Sequence, residues 1–241
     1  ESGAQYHICH ISTKESVQIL REGKKRGVKV TGETGPHYLM FTDQDMEEDG
    51  KWKMNPPIRE EVDREALIRG IQDGTIDCLI TDHAPHSAEE KSKGLAGSSF
   101  GIVGLETAFA SMFHNMVLRN PLDKDPLRVD LRKAKCTAAE ALSEKGKAEY
   151  GAISLYRHLE LMCTRPREIF PIRGPKYIED GVEADITVLD LDACYPVDTA
   201  QFYSKGKSTL FSGQEVQGKV LKTYYQGEEV YDFEKGILFQ Q

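Results

Sequence analysis

Asp77-Cys-Leu-Ile-Thr-Asp-His-Ala-Pro-His86 reads as a short buried strand whose end delivers an aspartate and two histidines into a turn. An α/β barrel places its chemistry at that position, the carboxyl end of a parallel strand. Two earlier stretches repeat the arrangement. Tyr6-His-Ile-Cys-His10 precedes a helix start, and Lys29-Val-Thr-Gly-Glu-Thr-Gly-Pro-His-Tyr38 closes a β-branched run on Pro36-His37. Three strand ends thus offer His10, His37 and Asp82 to one site.

Outward from these stretches, strand and helix alternate up to about residue 120. After the strand Tyr6–Cys9, Ser12-Thr-Lys-Glu15 has the form of a capping box, and Val17, Ile19 and Leu20 give the following helix an apolar side that Gly27 ends. Gly27–Thr31 is the next predicted strand. Trp52–Asn55 is a short third piece, stopped by Pro56-Pro57 because proline cannot continue a ladder. Asp63 then starts a helix carrying Ala66, Leu67 and Ile71 that ends at Gly74, and Ile76–Thr81 is the strand bearing Asp82. Leu105–Leu118 and Ser154–Thr164 read as further helices. The charged stretch from Pro121 to Tyr150 has weak periodicity and reads as either helix or insertion.

This alternation implies a parallel sheet with helices on its faces. The fold class is therefore α/β, the second half of a TIM-type (β/α)8 barrel, since four strands make half of eight and a whole barrel takes roughly 250 residues. From about Lys176 the pattern changes. Asp185–Asp190, Gly218–Tyr225 and Glu229–Asp232 run at strand lengths, with Gln226-Gly227 as a turn signal. Residues 1–175 are expected to form the barrel portion and residues 176–241 a small β unit beside it. The chain opens on Glu1 and enters a strand within a few residues, which reads as the middle of a domain.

The 31 basic and 39 acidic side chains of the 241 residues leave a net charge of −8. That balance points to neither nucleic acid nor an anionic membrane as partner, and Lys24-Lys-Arg26 reads as the solvated last turn of a helix. The five cysteines, Cys9, Cys78, Cys136, Cys163 and Cys194, have neither zinc-ribbon nor redox spacing. They read as reduced thiols of a cytoplasmic protein, with Cys9 and Cys78 packed inside strands.

His7-Ile-Cys-His-Ile-Ser-Thr13, Glu33-Thr-Gly-Pro-His-Tyr-Leu39, Asn55-Pro-Pro-Ile-Arg59, Thr81-Asp-His-Ala-Pro-His86 and Phe100-Gly-Ile-Val-Gly-Leu-Glu-Thr107 together closely resemble the dihydroorotase family of the amidohydrolase superfamily. The resemblance extends nearly end to end, with Gly181–Val188 similar to the family's C-terminal β unit. It implies a zinc-dependent cyclic amidohydrolase that interconverts dihydroorotate and N-carbamoyl-aspartate in pyrimidine synthesis. It makes His10 and His37 ligands of one metal of a two-metal centre, and Asp82 a ligand of the other and the group that handles the proton. Asn55 and His86 are implied to contact the carboxylate-bearing ring, and the backbone at Phe100 and Gly101 its polar edge. Ser87–Ser99 resembles a mobile segment that closes over the ring.

Of the remaining histidines, His7 is assigned to packing on the opposite strand face and His83 to orienting Asp82. His114 and His158 are expected at the surface or as satisfied core residues. The resemblance also implies parts that this sequence does not contain: a His-x-His pair, a bridging carboxylated lysine, and an arginine and asparagine for the substrate carboxylate. The expectation is a single weak metal site at most in this chain alone, with an N-terminal barrel half as partner and a homodimer as one allowed assembly. Related cyclic amidohydrolases (allantoinase, hydantoinase) and a non-catalytic subunit supporting a transcarbamoylase are the alternatives.

Overall fold

The computed structural model describes residues 3–123 and 151–238. Two sheets organise them. The first is parallel, in the order β1 (Tyr6–Ile8), β2 (Val30–Thr34), β3 (Cys78–Leu79), with Tyr6 opposite Val30 and Glu33 opposite Cys78. Parallel neighbours need crossovers, and helices supply them. The crossover from β1 to β2 contains α1 (Lys14–Lys25), and that from β2 to β3 contains α2 (Pro36–Met40) and α3 (Glu61–Gln72).

Local chemistry explains most of these boundaries. Thr13, one residue past the expected Ser12, caps α1 by accepting from the Ser16 amide. Gly27 and Gly74 take the left-handed conformation that ends α1 and α3. Val17 and Leu20 of α1 and Leu67, Ile68 and Ile71 of α3 are buried. Gly32 of β2 admits this packing: a Cβ there would lie 2.6 Å from Ile11 Cδ1 and 2.7 Å from Leu20 Cδ2.

Three expected elements differ. The second strand is Val30–Thr34, because Gly27 is consumed in ending α1. Trp52–Asn55 is not a strand: Gly50–Trp52 forms a 3-10 turn capped by Asp49, which leaves three parallel strands rather than four among the described residues. The only further parallel pairing among them is a single bridge between His83 and Ile102. The helix expected over Leu105–Leu118 begins later, as α6 (Ala108–Met112), and widens into a π segment, Phe113–Val117. Between β3 and α6 lie two short helices, α4 (Ala88–Lys91) and α5 (Gly94–Gly97). The second expected helix runs as α7 (Leu155–Leu159), a π segment and α8 (Arg165–Ile169). Most of the stretch from Pro121 to Tyr150, including Cys136, lies outside the described residues.

The second sheet is antiparallel: β4 (Ile186–Pro196), β5 (Glu215–Tyr225), β6 (Glu228–Asp232) and β7 (Gly236–Ile237). Gln226 and Gly227, both at positive φ, make the tight turn from β5 to β6. This sheet is not a satellite. Gly218 of β5, at φ 95°, would bring a Cβ within 2.8 Å of Phe113 Cδ1, and Phe211 packs against Phe41 with ring centroids 5.4 Å apart. One apolar core runs from α1 to β5. No helix among the described residues is long and apolar enough to cross a membrane.

Four further expectations are corrected. His114 and His158 are buried but not satisfied: His114 Nδ1 and both ring nitrogens of His158 lack hydrogen-bond partners. Lys24 is not merely solvated; it donates to Asp77 Oδ2 at 2.7 Å and to the Thr75 carbonyl at 2.7 Å. Cys78 is buried as expected, whereas Cys9 is exposed, because β1 ends before it.

Candidate active site at the carboxyl ends of the parallel strands

His10 and Asp82 follow β1 and β3 and share an unusual backbone. Their φ angles are 36° and 46°, and the only other non-glycine residue at positive φ among those described is Gln226 in its hairpin turn. Each left-handed L-residue costs about 1–2 kcal/mol. Such strain persists where the surroundings over-determine it, and it clusters at functional sites.

His37 reaches the same end from the first turn of α2. Gly35 caps the helix and Pro36 sits at its start, a position where the missing N–H costs nothing. A Cβ at residue 35 would lie 2.6 Å from His37 Cε1, so any larger residue there would displace the imidazole. The His37 ring packs 4.0 Å from that of Tyr38, whose hydroxyl donates to the Pro56 carbonyl at 2.8 Å. The peptide between Asn55 and Pro56 is cis, and Asn55 is exposed beside this anchor.

Electrostatics tie the three strand ends together. Burial, and secondarily the charge of His10, hold the His37 imidazole down to about 3. Burial raises the Asp82 carboxyl above its ordinary value, opposed by His10 and reinforced by Glu33. Burial also raises the Tyr38 phenol, with Asp82 adding to the effect and Arg59 opposing it. Glu33 belongs to this neighbourhood although the sequence singled it out for nothing; it lies 3.0 Å from His7 Nε2, while His7 Nδ1 lies 2.7 Å from Thr31 Oγ1. His7 thus packs against Phe170, at 4.8 Å between ring centroids, as a hydrogen-bonded partner of Glu33.

A metal that the resemblance implies finds a partial fit. His37 is neutral and buried, and its Nε2 has no hydrogen-bond partner, the state in which imidazole ligates. His10 is close enough to perturb it. A zinc site usually takes three or four protein ligands, however, and among the described residues no three His, Cys, Asp or Glu groups come together to hold an ion.

The segment after Asp82 builds a hydrogen-bonded wall of its own. His83 does not hydrogen-bond Asp82; its Nδ1 accepts from the amides of Gly104 and Leu105 at 3.3 Å each. His86 Nε2 is 2.8 Å from the Phe100 carbonyl. Gly101, at φ 123°, has its N–H on the Lys53 carbonyl at 2.9 Å and its own carbonyl on Lys91 Nζ at 2.8 Å. The segment Ser87–Ser99, expected to resemble a mobile closing segment, contains α4 and α5 and is hydrogen-bonded both within itself and to Glu48. The Ser99 amide donates to the Glu90 carbonyl, and the Leu95 amide donates to Glu48. Lys91 and Glu106, which hold this wall, carried no signal in the sequence: a lysine after Glu89-Glu90 reads as a solvated charge, and Glu106 acts on Tyr203 and Ser204, almost a hundred residues away.

Comparison with known proteins follows the same lines. No family model matches the sequence. Proteins named dihydroorotase from Listeria innocua and Brevibacillus brevis are 41% and 40% identical over 232 and 233 residues, in each case 96% of this chain and 47% of the relative. The chain therefore spans about half the length of the curated relatives it matches. Among solved structures, the L-hydantoinase (dihydropyrimidinase) from Arthrobacter aurescens superposes with a TM-score of 0.78 at 29% identity, covering 100% of this chain and 47% of that one. A D-hydantoinase from a Bacillus species shares the fold at 22% identity and a TM-score of 0.75, over 98% of this chain and 47% of its own. By its sequence and its motifs, this chain is similar to dihydroorotases over nearly all of its own length and about half of theirs.

Proposed function

We propose that the protein carrying this chain is a dihydroorotase, which hydrolyses the cyclic amide of dihydroorotate reversibly to N-carbamoyl-aspartate. The observation that carries the reading is the match to proteins of that name over 96% of the chain. The left-handed His10 and Asp82 at one end of the sheet support it. In this reading residues 1–175 supply the second half of a (β/α)8 barrel, residues 176–241 form its companion β unit, and the other half comes from the remaining length of the relatives.

His10 and His37 would hold one divalent cation, with zinc the best match to neutral imidazole, and Asp82 would contribute to a second. When bound, such ions supply an acidic water and polarise an amide carbonyl. The chain's own residues do the rest. The Asp82 carboxylate, raised by burial, accepts a proton at Oδ from the attacking water and returns it to the departing ring nitrogen. Asn55 and His86 orient the carboxylate-bearing ring, and the Phe100 amide receives its polar edge.

A second reading has one observation in its favour, the superposition on a hydantoinase. Full-length protein assayed with dihydroorotate, hydantoin and allantoin separates the two. Turnover of dihydroorotate that is lost on chelation and restored by zinc is the expected result. Preference for hydantoin by tenfold or more in kcat/KM would transfer the assignment.

A further inference from the structure

Lys91 is buried, at 7% exposure, and has no carboxylate within ion-pair distance among the described residues. Its three ammonium protons instead serve three backbone carbonyls: Ser99 at 2.8 Å, Gly101 at 2.8 Å and Lys53 at 3.2 Å. An ammonium has three donors and no acceptor, so this set saturates it. Burying a lysine against carbonyls alone is costly, since no carboxylate balances its charge. Two of these carbonyls, Ser99 and Gly101, flank Phe100, and the third, Lys53, also accepts the Gly101 N–H.

The other polar groups of the turn are also spoken for. Ser99 N–H goes to the Glu90 carbonyl, Gly101 N–H to the Lys53 carbonyl, and the Phe100 carbonyl to His86. The Phe100 amide is left as the donor of this turn without a partner among the described residues. From outside, Gly50 closes the knot, because a Cβ there would lie 2.2 Å from both the Lys91 carbonyl and Ser98 Oγ.

We infer that Lys91 is a positioning residue, which by clamping the Ser99, Gly101 and Lys53 carbonyls holds the Phe100 amide and His86 at the geometry the bound ring requires. The inference rests on the dihydroorotase reading for its ligand, but the clamp itself does not. Lys91→Met and Lys91→Arg in the full-length, metal-loaded protein test it with two readouts. The first is hydrogen exchange over Ser99–Val103, and the second is the division of any kinetic loss between KM and kcat.

For Lys91→Met, exchange at the hydrogen-bonded amides of Ser99 and Gly101 should accelerate and KM for dihydroorotate should rise about tenfold or more with kcat nearly unchanged, the pattern of lost ground-state positioning. Lys91→Arg, which keeps the charge in a planar fork, should fall between. Unchanged exchange overturns the inference. Faster exchange with KM intact, or a fall in kcat that only mirrors the fraction of folded protein, overturns it as well. If the wild type turns over no cyclic amide, the functional reading fails and exchange alone decides the clamp. Should Lys91→Met not fold, Lys91→Gln carries the same test.

Discussion

His10 and Asp82 show what the site demands of single residues. A β-branched or bulky side chain would not tolerate φ near 40°, whereas aspartate, asparagine and histidine are enriched there. Asp82→Asn should therefore fold normally and keep its thermal midpoint, while kcat of the full-length protein falls by about 10²–10⁴, the usual worth of a positioned acid–base group. A midpoint that drops with the activity would reassign Asp82 to structure. His158 makes a different prediction. Burial holds its imidazole down to about 4, against about 6.5 when unfolded, with its ring stacked on Phe109 at 5.1 Å and both nitrogens unpartnered. Between those values the unfolded state binds the extra proton, so the contribution is complete above pH 6.5 and is lost as pH falls towards 4. The loss is up to about 3 kcal/mol. Denaturant unfolding at pH 7 and pH 5 should show it, and His158→Phe should flatten the difference.

At the scale of elements, Asp77 and Glu106 join segments distant in sequence. Asp77 stands just before β3, 3% exposed, and receives Lys24 from α1 at 2.7 Å, Arg165 from α8 at 2.9 Å and the Gly32 amide of β2 at 3.0 Å. Removing one member of a buried charge cluster strands the others. Asp77→Asn should cost about 2–4 kcal/mol in urea unfolding, below the fully buried limit because both cations are partly exposed. Adding Arg165→Met should recover part of that loss, and strictly additive effects would show that the pair is not coupled. Glu106 clasps the connection between β4 and β5, accepting from the Tyr203 amide at 2.7 Å and from the Ser204 amide and hydroxyl at 3.0 and 2.6 Å. Nearby, Gly206 lies so close to His86 that a Cβ would meet its carbonyl at 2.6 Å. The β unit thereby braces the wall that carries His86.

For the molecule as a whole, that bracing and the shared core argue against two independent units. Trp52, the only tryptophan, packs edge-on to Phe41 at 5.4 Å, and Phe41 in turn meets Phe211 at the foot of the second sheet. Trp52 fluorescence and far-ultraviolet circular dichroism should accordingly report one midpoint in urea. Two separated midpoints would mean that the sheets unfold apart. Gly218→Val should weaken both together: its φ of 95° excludes a branched side chain, and Phe113 lies where the side chain would go.

The amino-acid sequence carries the order of α1, β2, α3 and β3, the hairpin at Gln226-Gly227, the change of pattern at about Lys176 and the positions of His10, His37 and Asp82 beside the strand ends. Each is written in neighbouring residues: apolar periodicity, a cap, a glycine that ends a helix. It misplaced Trp52–Asn55 because an apolar run before proline reads the same whether it pairs or turns; Asp49, capping that turn, decided otherwise. The packed fold had to supply the bond from Leu95 to Glu48, the pairing of His7 with Glu33, and the partners of Lys91 and Glu106. Those residues act on backbone groups far along the chain, and a polar side chain's partner is set by where the fold brings it, not by the residues beside it.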